Sequence, residues 1–145
     1  MTNIEKRMKR YPDTTTFHYY NANPKNKITG DCVIRAISRA TDIPYNEVVM
    51  KLAEMHCKTG YNIENPECYG KFLESIGWVK HKQPRMSDNT KYTGKGFRMY
   101  FNATMPRKIV AHIGGHHVVA IIDGVVNDTW DSTDGTIGNW WARSC

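Results

Sequence analysis

Apolar positions along the chain follow two different periods. After Thr29-Gly30-Asp31 they fall at Val33, Ile34, Ile37 and Ala40, one face of a helix, with Arg35 and Arg39 on the other. Thr29 or Asp31 is placed to cap that helix, so Cys32 sits in its first turn. A second helix is predicted from about Pro44 to Lys58, capped by Thr41 or Asp42 and stopped by Gly60, with Tyr45, Val48, Leu52 and Met55 as its stripe. A third opens at Asn65-Pro66, a cap followed by proline at the first helical position, and ends at Gly77. Tyr69, Phe72, Leu73 and Ile76 form its apolar face. Residues 80–96, basic and rich in turn formers, read as a mobile surface loop, and residues 96–103 as a short helix.

The last third changes period. Residues 108–113, 116–122 and 125–129 are dense in β-branched side chains. Gly114-Gly115 breaks the first pair, and Asp123-Gly124 between Ile122 and Val125 is a two-residue hairpin signal. Trp140-Trp141 suits a further strand. Residues 1 to about 27 have no sustained period and read as a polar arm, extended over 1–25 with a short strand near 15–20. Helices first and an antiparallel sheet after them make an α+β plan, and 145 residues suit a single domain over 1–145.

Composition narrows the class. With 40% hydrophobic and 23% charged residues, the chain is an ordinary globular one rather than a collagen, coiled coil or disordered polymer. No apolar stretch approaches the ~20 residues that span a bilayer, so no membrane partner is expected. The basic N-terminus lacks an apolar core behind it, which argues against a secretory signal and for a reducing cytoplasm. The net charge of +6 is uneven: residues 1–108 carry 19 Lys/Arg against 10 Asp/Glu, whereas residues 109–145 carry one Arg against four Asp. A basic body favours an acidic partner surface, yet no Lys/Arg run with regular aromatics names a nucleic-acid motif.

Of the four cysteines, Cys32, Cys57, Cys68 and Cys145, no two have Cys-x-x-Cys spacing. His56, Cys57 and Cys68 lack a fourth metal partner, so no metal is assigned, and Cys57 and Cys68 read as small apolar residues on helices. Cys32 differs. Backbone N–H groups and the helix dipole at a helix start favour the thiolate and lower the thiol pKa. His116 and His117 open an apolar strand; adjacent strand residues point to opposite faces, so at most one serves a given site. The hairpin puts His117 opposite position 130, with Asp128 and Asp131 both in reach. Each feature has an ordinary explanation: a buried thiol, a core histidine, a solvated turn. Together they supply nucleophile, base and orienting group.

Two segments resemble the papain-like cysteine peptidases, above all small bacterial and bacteriophage proteins of that superfamily. They are Gly30-Asp31-Cys32-Val33-Ile34-Arg35-Ala36-Ile37 and Gly115-His116-His117-Val118-Val119-Ala120-Ile121-Ile122-Asp123-Gly124, followed by Asp128-Thr129-Trp130-Asp131. The resemblance implies a papain-like α+β fold with the nucleophile at a helix start, packed on the C-terminal sheet. It implies Cys32 as nucleophile, His117 rather than His116 as base, and Asp128 as orienting group in place of the usual Asn. Trp130 would cover the pair, and Asp131 is the rival carboxylate. Asn26, six residues before Cys32, takes the place of the oxyanion-hole Gln, alongside the Cys32 backbone N–H. The implied activity is amide hydrolysis of a protein or peptide substrate through a thioester, with no cofactor. The same triad would also serve deamidation, isopeptide cleavage or transamidation. A different class of reading is a non-catalytic phage or host-interaction protein that binds an acidic partner or nucleic acid through the basic face, in the host cytoplasm if phage-encoded.

Overall fold

The computed structural model describes residues 1–143. It contains α1 (Asn3–Arg10), β1 (Phe17–Tyr19), α2 (Cys32–Thr41), α3 (Tyr45–Thr59), α4 (Pro66–Ser75), β2 (Trp78–His81), a 3-10 turn (Phe97–Tyr100), β3 (Lys108–Ile113), β4 (His117–Ile122), β5 (Val125–Asp128) and β6 (Ile137–Arg143). The six strands form one sheet in the order β1-β5-β4-β3-β6-β2. Every pairing is antiparallel except β1 with β5, which is parallel.

Strand alternation gives the sheet two buried faces. Val110, Val118, Ala120 and Trp141 meet the helices, packing with Val33, Ile37, Val48, Leu52, Tyr69 and Leu73. Ile109, Ala111, Val119, Ile121, Val126 and Trp140 point the other way and are covered by Phe97, Phe101 and Met105. The neighbouring Trp140 and Trp141 therefore serve opposite faces, as a period of two requires. Asp31 begins α2 without capping it through its side chain. A missing cap costs ~1 kcal/mol, whereas each fully buried aliphatic side chain contributes ~1.5–3 kcal/mol. Val33, Ile34 and Ile37 thus hold this helix in place without one.

Several expectations change. The arm is not extended throughout: α1 forms within it, started by a reciprocal capping box between Thr2 and Glu5. Its side chains are all outside the core, so no apolar period marks it. The expected loop at 80–96 begins inside β2, which pairs with β6, and carries bridges Arg85 to Lys91 and Thr93 to Thr136. The helix expected at 96–103 is a single 3-10 turn. Pro44, not Thr41 or Asp42, precedes α3, and Asp42 instead ends α2 in the left-handed region. α4 stops at Ser75, and Ile76 is exposed. Arg35, expected on the polar face of α2, is buried. Cys68 is buried, Cys57 is exposed rather than apolar filling, and Cys145 lies outside the described residues. No helix among the described residues is long and apolar enough to cross a membrane.

Candidate active site

β4 begins at His117, and the hairpin to β5 keeps the register read from the Asp123-Gly124 turn, Ala120 facing Asn127 and Ile122 facing Val125. Asp128 closes β5 just beyond the last residue paired with β4 and is in register with Tyr19 of β1. α2 packs across β4 and brings its first residue, Cys32, to the same end of the sheet. The Cys32 thiol interacts with the His117 side chain and the Val118 backbone N–H, both of which favour its thiolate. Nε2 of His117 lies 2.6 Å from Oδ2 of Asp128. Since Nε2 is taken, Nδ1 is the ring nitrogen left for the thiol. His116 stays exposed in the preceding turn.

Asp128 is 1% exposed and fully engaged. Oδ2 also accepts from Ser132 Oγ at 2.9 Å, while Oδ1 accepts from the Thr129 N–H at 2.7 Å and from Arg35 Nη1 at 3.1 Å. The Arg35 fork continues through Nε to Asp31 Oδ1 at 2.7 Å, and Asp31 Oδ2 accepts from Tyr45 Oη at 2.6 Å and from Asn23 Nδ2 at 3.0 Å. Asp31 thus spends its carboxylate on Arg35 and Tyr45 instead of capping α2.

These contacts set the charges. Burial pushes the Asp128 carboxyl up, but the His117 hydrogen bond and charge, then Arg35 and the Thr129 amide, bring it below the usual carboxylate value. Burial works against an imidazolium at His117; Asp128 and Cys32 outweigh it and raise its pKa to about 9. For Cys32, burial opposes the thiolate, and His117, the Val118 amide and Arg35 more than offset it, so the thiol is lowered. The arrangement favours a thiolate–imidazolium pair backed by a permanent carboxylate.

Asp131, the rival carboxylate, turns to the backbone N–H and hydroxyl of Thr133. The Trp130 indole lies against the His117 ring, centroids 5.0 Å apart, and is 38% exposed. A cavity of about 370 Å³ opens beside His117 between Trp130, Asp131, Gly114, Gly115 and Gly135. Asn26 does not join the cluster. It is exposed with φ +54°, and its side-chain oxygen accepts from Asn21 Nδ2 at 3.3 Å. Among the described residues no three His, Cys, Asp or Glu side chains are grouped to hold a metal ion.

Arg35, Ser132 and Tyr45 were not singled out as site residues from the sequence. Only Arg35 left a readable signal there, the i,i+4 spacing from Asp31 that pairs charges along a helix. Compared with protein-family models, curated proteins and solved structures, the chain matches none.

Proposed function

We propose that the protein is a papain-like cysteine hydrolase that cleaves an amide bond in a protein or peptide. The observation that carries this reading is the His117–Asp128 hydrogen bond, with the Cys32 thiol interacting with the same imidazole, beside an open cavity. The Cys32 thiolate attacks the carbonyl carbon, and the electron pair moves to oxygen. Collapse of that intermediate expels the amine, which takes the proton from the His117 imidazolium, and leaves a thioester on Cys32. Water, losing a proton to neutral His117, then attacks the thioester and releases the acid and the thiol. The start of α2, uncapped by any side chain, supplies backbone donors for the oxyanion, Cys32 N–H among them. Asn26, tied to Asn21, lends no geometric support as second donor.

Deamidation, isopeptide cleavage and transamidation share the thioester and differ in what reaches it next. Intact-mass analysis of the acceptor protein separates them: proteolysis splits the partner, whereas deamidation leaves one chain of slightly altered mass. The binding-protein reading draws support from α1, whose Lys6, Lys9 and Arg10 are exposed. It predicts salt-sensitive binding that ignores Cys32→Ala. The deciding experiment is labelling with a thiol-directed electrophile at pH 6, mapped by peptide mass. Selective modification of Cys32, lost in His117→Ala, supports the hydrolase; slow labelling at all cysteines alike defeats it.

A further inference from the structure

His117 must gain and lose a proton during any such cycle, and Asp128 lies in a place where water cannot rescue its charge. With His117 as sole cation, the carboxylate would become an unpaired buried anion whenever the ring turned neutral. Arg35 supplies the missing charge. It sits one turn beyond Cys32 on α2, is 9% exposed, and its Nη1 meets the Asp128 oxygen that His117 does not use. The contacts close a circuit: Cys32 to His117, His117 to Asp128, Asp128 to Arg35, and back to Cys32 through one turn of helix.

We propose that Arg35 is the positioning residue of this site. It holds Asp128 ionised and in a fixed plane through each protonation state of His117, and it fastens the helix bearing Cys32 to the strand bearing Asp128. Its chemical meaning rests on the triad reading above. The planar fork is what the place requires, because Nε is held by Asp31, itself anchored to Tyr45 of α3, while Nη1 reaches Asp128. A lysine ammonium carries the charge but not this two-point geometry. Other charged and titratable groups lie around Asp128. Tyr19 of β1 is coupled to it and to Arg35, and Arg7 of α1 donates to the Thr129 carbonyl at 2.6 Å. Arg39 of α2 binds the neighbouring Asn127, Asp131 faces Thr133, and Tyr69 of α4 is coupled to Cys32. Among the described residues, only Arg35 besides His117 brings a cation into contact with the carboxylate itself.

Arg35→Met and Arg35→Lys in the full chain test this by ¹⁵N and ¹H NMR of the His117 ring and by the pH profile of Cys32 alkylation with iodoacetamide. Loss of the guanidinium removes a nearby cation that opposes the imidazolium and shares the Asp128 carboxylate, so in Arg35→Met the ring titrates higher by roughly one pH unit. Cys32 loses a nearby cation, and the acid limb of its alkylation also moves to higher pH. Arg35→Lys returns both towards wild type. The Nε2–H proton, displaced downfield by its short bond to Asp128, moves upfield in both variants because neither holds the carboxylate plane. Folded Arg35→Met with the wild-type titration and Nε2–H position overturns the proposal, and so does Arg35→Lys titrating like Arg35→Met. If Arg35→Met fails to fold, the Nε2–H position in Arg35→Lys decides. The ring signals report the Asp128–His117 pair directly: a Cys32 that labels no faster than Cys57 breaks the triad reading, while the fate of Arg35 is still read from the ring.

Discussion

The His117 ring meets both an acid and a sulfur: Nε2 lies 2.6 Å from Oδ2 of Asp128, and the thiol of Cys32 interacts with the same ring. An imidazole so placed holds its proton to about pH 9, and the thiol gives its proton up below its ordinary value. Both shifts favour the charged pair, whereas an ordinary thiol of pKa ~8.5 is almost wholly protonated at neutral pH.

Alkylation at pH 6 is expected to select Cys32 over the more accessible Cys57. His117→Ala is expected to slow modification of Cys32 at this pH by tenfold or more, on the scale of roughly 1.4 kcal/mol per pKa unit. Equal rates at the two cysteines in the wild type would falsify the ion-pair state.

The two carboxylates should separate cleanly. Asp131→Ala removes a hydrogen-bond partner of Thr133 and leaves the Asp128–His117 bond in place, so low-pH labelling of Cys32 should be unchanged. Asp128→Asn should depress it, since a neutral amide no longer supports the imidazolium. The reverse ranking would hand the orienting role to Asp131.

Asp128→Ala is expected to cost about 3–5 kcal/mol of folding stability, because it strips a buried guanidinium of one of its two carboxylates. Asp128→Asn keeps the shape and an acceptor for Arg35 and should cost clearly less. Urea unfolding of the two variants measures the gap, and identical midpoints would show that Arg35 gains little from this ion pair.

Stability against pH should respond to one substitution. The raised His117 contributes stability that is full below its unfolded value of 6.5 and lost as the pH rises towards about 9. The lowered Cys32 contributes stability that is full above its unfolded value of 9.0 and lost as the pH falls towards its folded value. The two trends oppose each other between those limits. The lowered carboxyl of Asp128 adds stability that is lost further into acid, through its own folded pKa. In Cys32→Ala the raised His117 is uncompensated: its stabilisation is full below 6.5 and lost as the pH rises through its folded value, at up to about 1.4 kcal/mol per pH unit. Denaturant midpoints from pH 6 to 9 test this, and parallel curves for the two proteins would contradict it.

Two glycines near the cavity should behave differently. A Cβ on Gly135 would lie 2.9 Å from Ile113 Cγ1, 3.1 Å from the Ser132 carbonyl oxygen and 3.2 Å from the Gly114 nitrogen. Two of those atoms are backbone and yield little, so Gly135→Ala is expected to cost ~1–3 kcal/mol. Gly115→Ala meets nothing within 4 Å and should shift stability by no more than ~0.5 kcal/mol. Thermal midpoints of both variants measure the contrast.

Local signals in the sequence were enough for α2, α3 and α4, because each buries a stripe with 3.6-residue spacing, and for the β4–β5 hairpin, because Asp123-Gly124 takes the positive φ its turn requires. They were not enough where long-range contacts decide. β2 is mostly exposed and is a strand because β6 pairs with it, and α1 buries nothing, so hydrophobic period is blind to it. At the site, Cys32 stood out by its place at a helix start, while His117 over His116 and Asp128 over Asp131 came from the resemblance to papain-like peptidases, because the hairpin alone left both carboxylates in reach. Arg35 did not stand out, since an arginine on the apparent polar face of a helix looks solvated until a carboxylate from the sheet arrives to meet it.

Arg35 and Asp128 lie 93 residues apart in the chain, and the strand carrying Asp128 also pairs with Phe17–Tyr19 from the first segment. Closing loops of that length is slow compared with forming a helix. As the protein is made, α2 emerges on the ribosome well before β4 and β5 exist, and its sulfur stays an unremarkable thiol in the interim. On the reading proposed above, Cys32 meets its imidazole only when β4 packs against α2, which would spare the nascent polypeptide and the machinery around it from an early nucleophile.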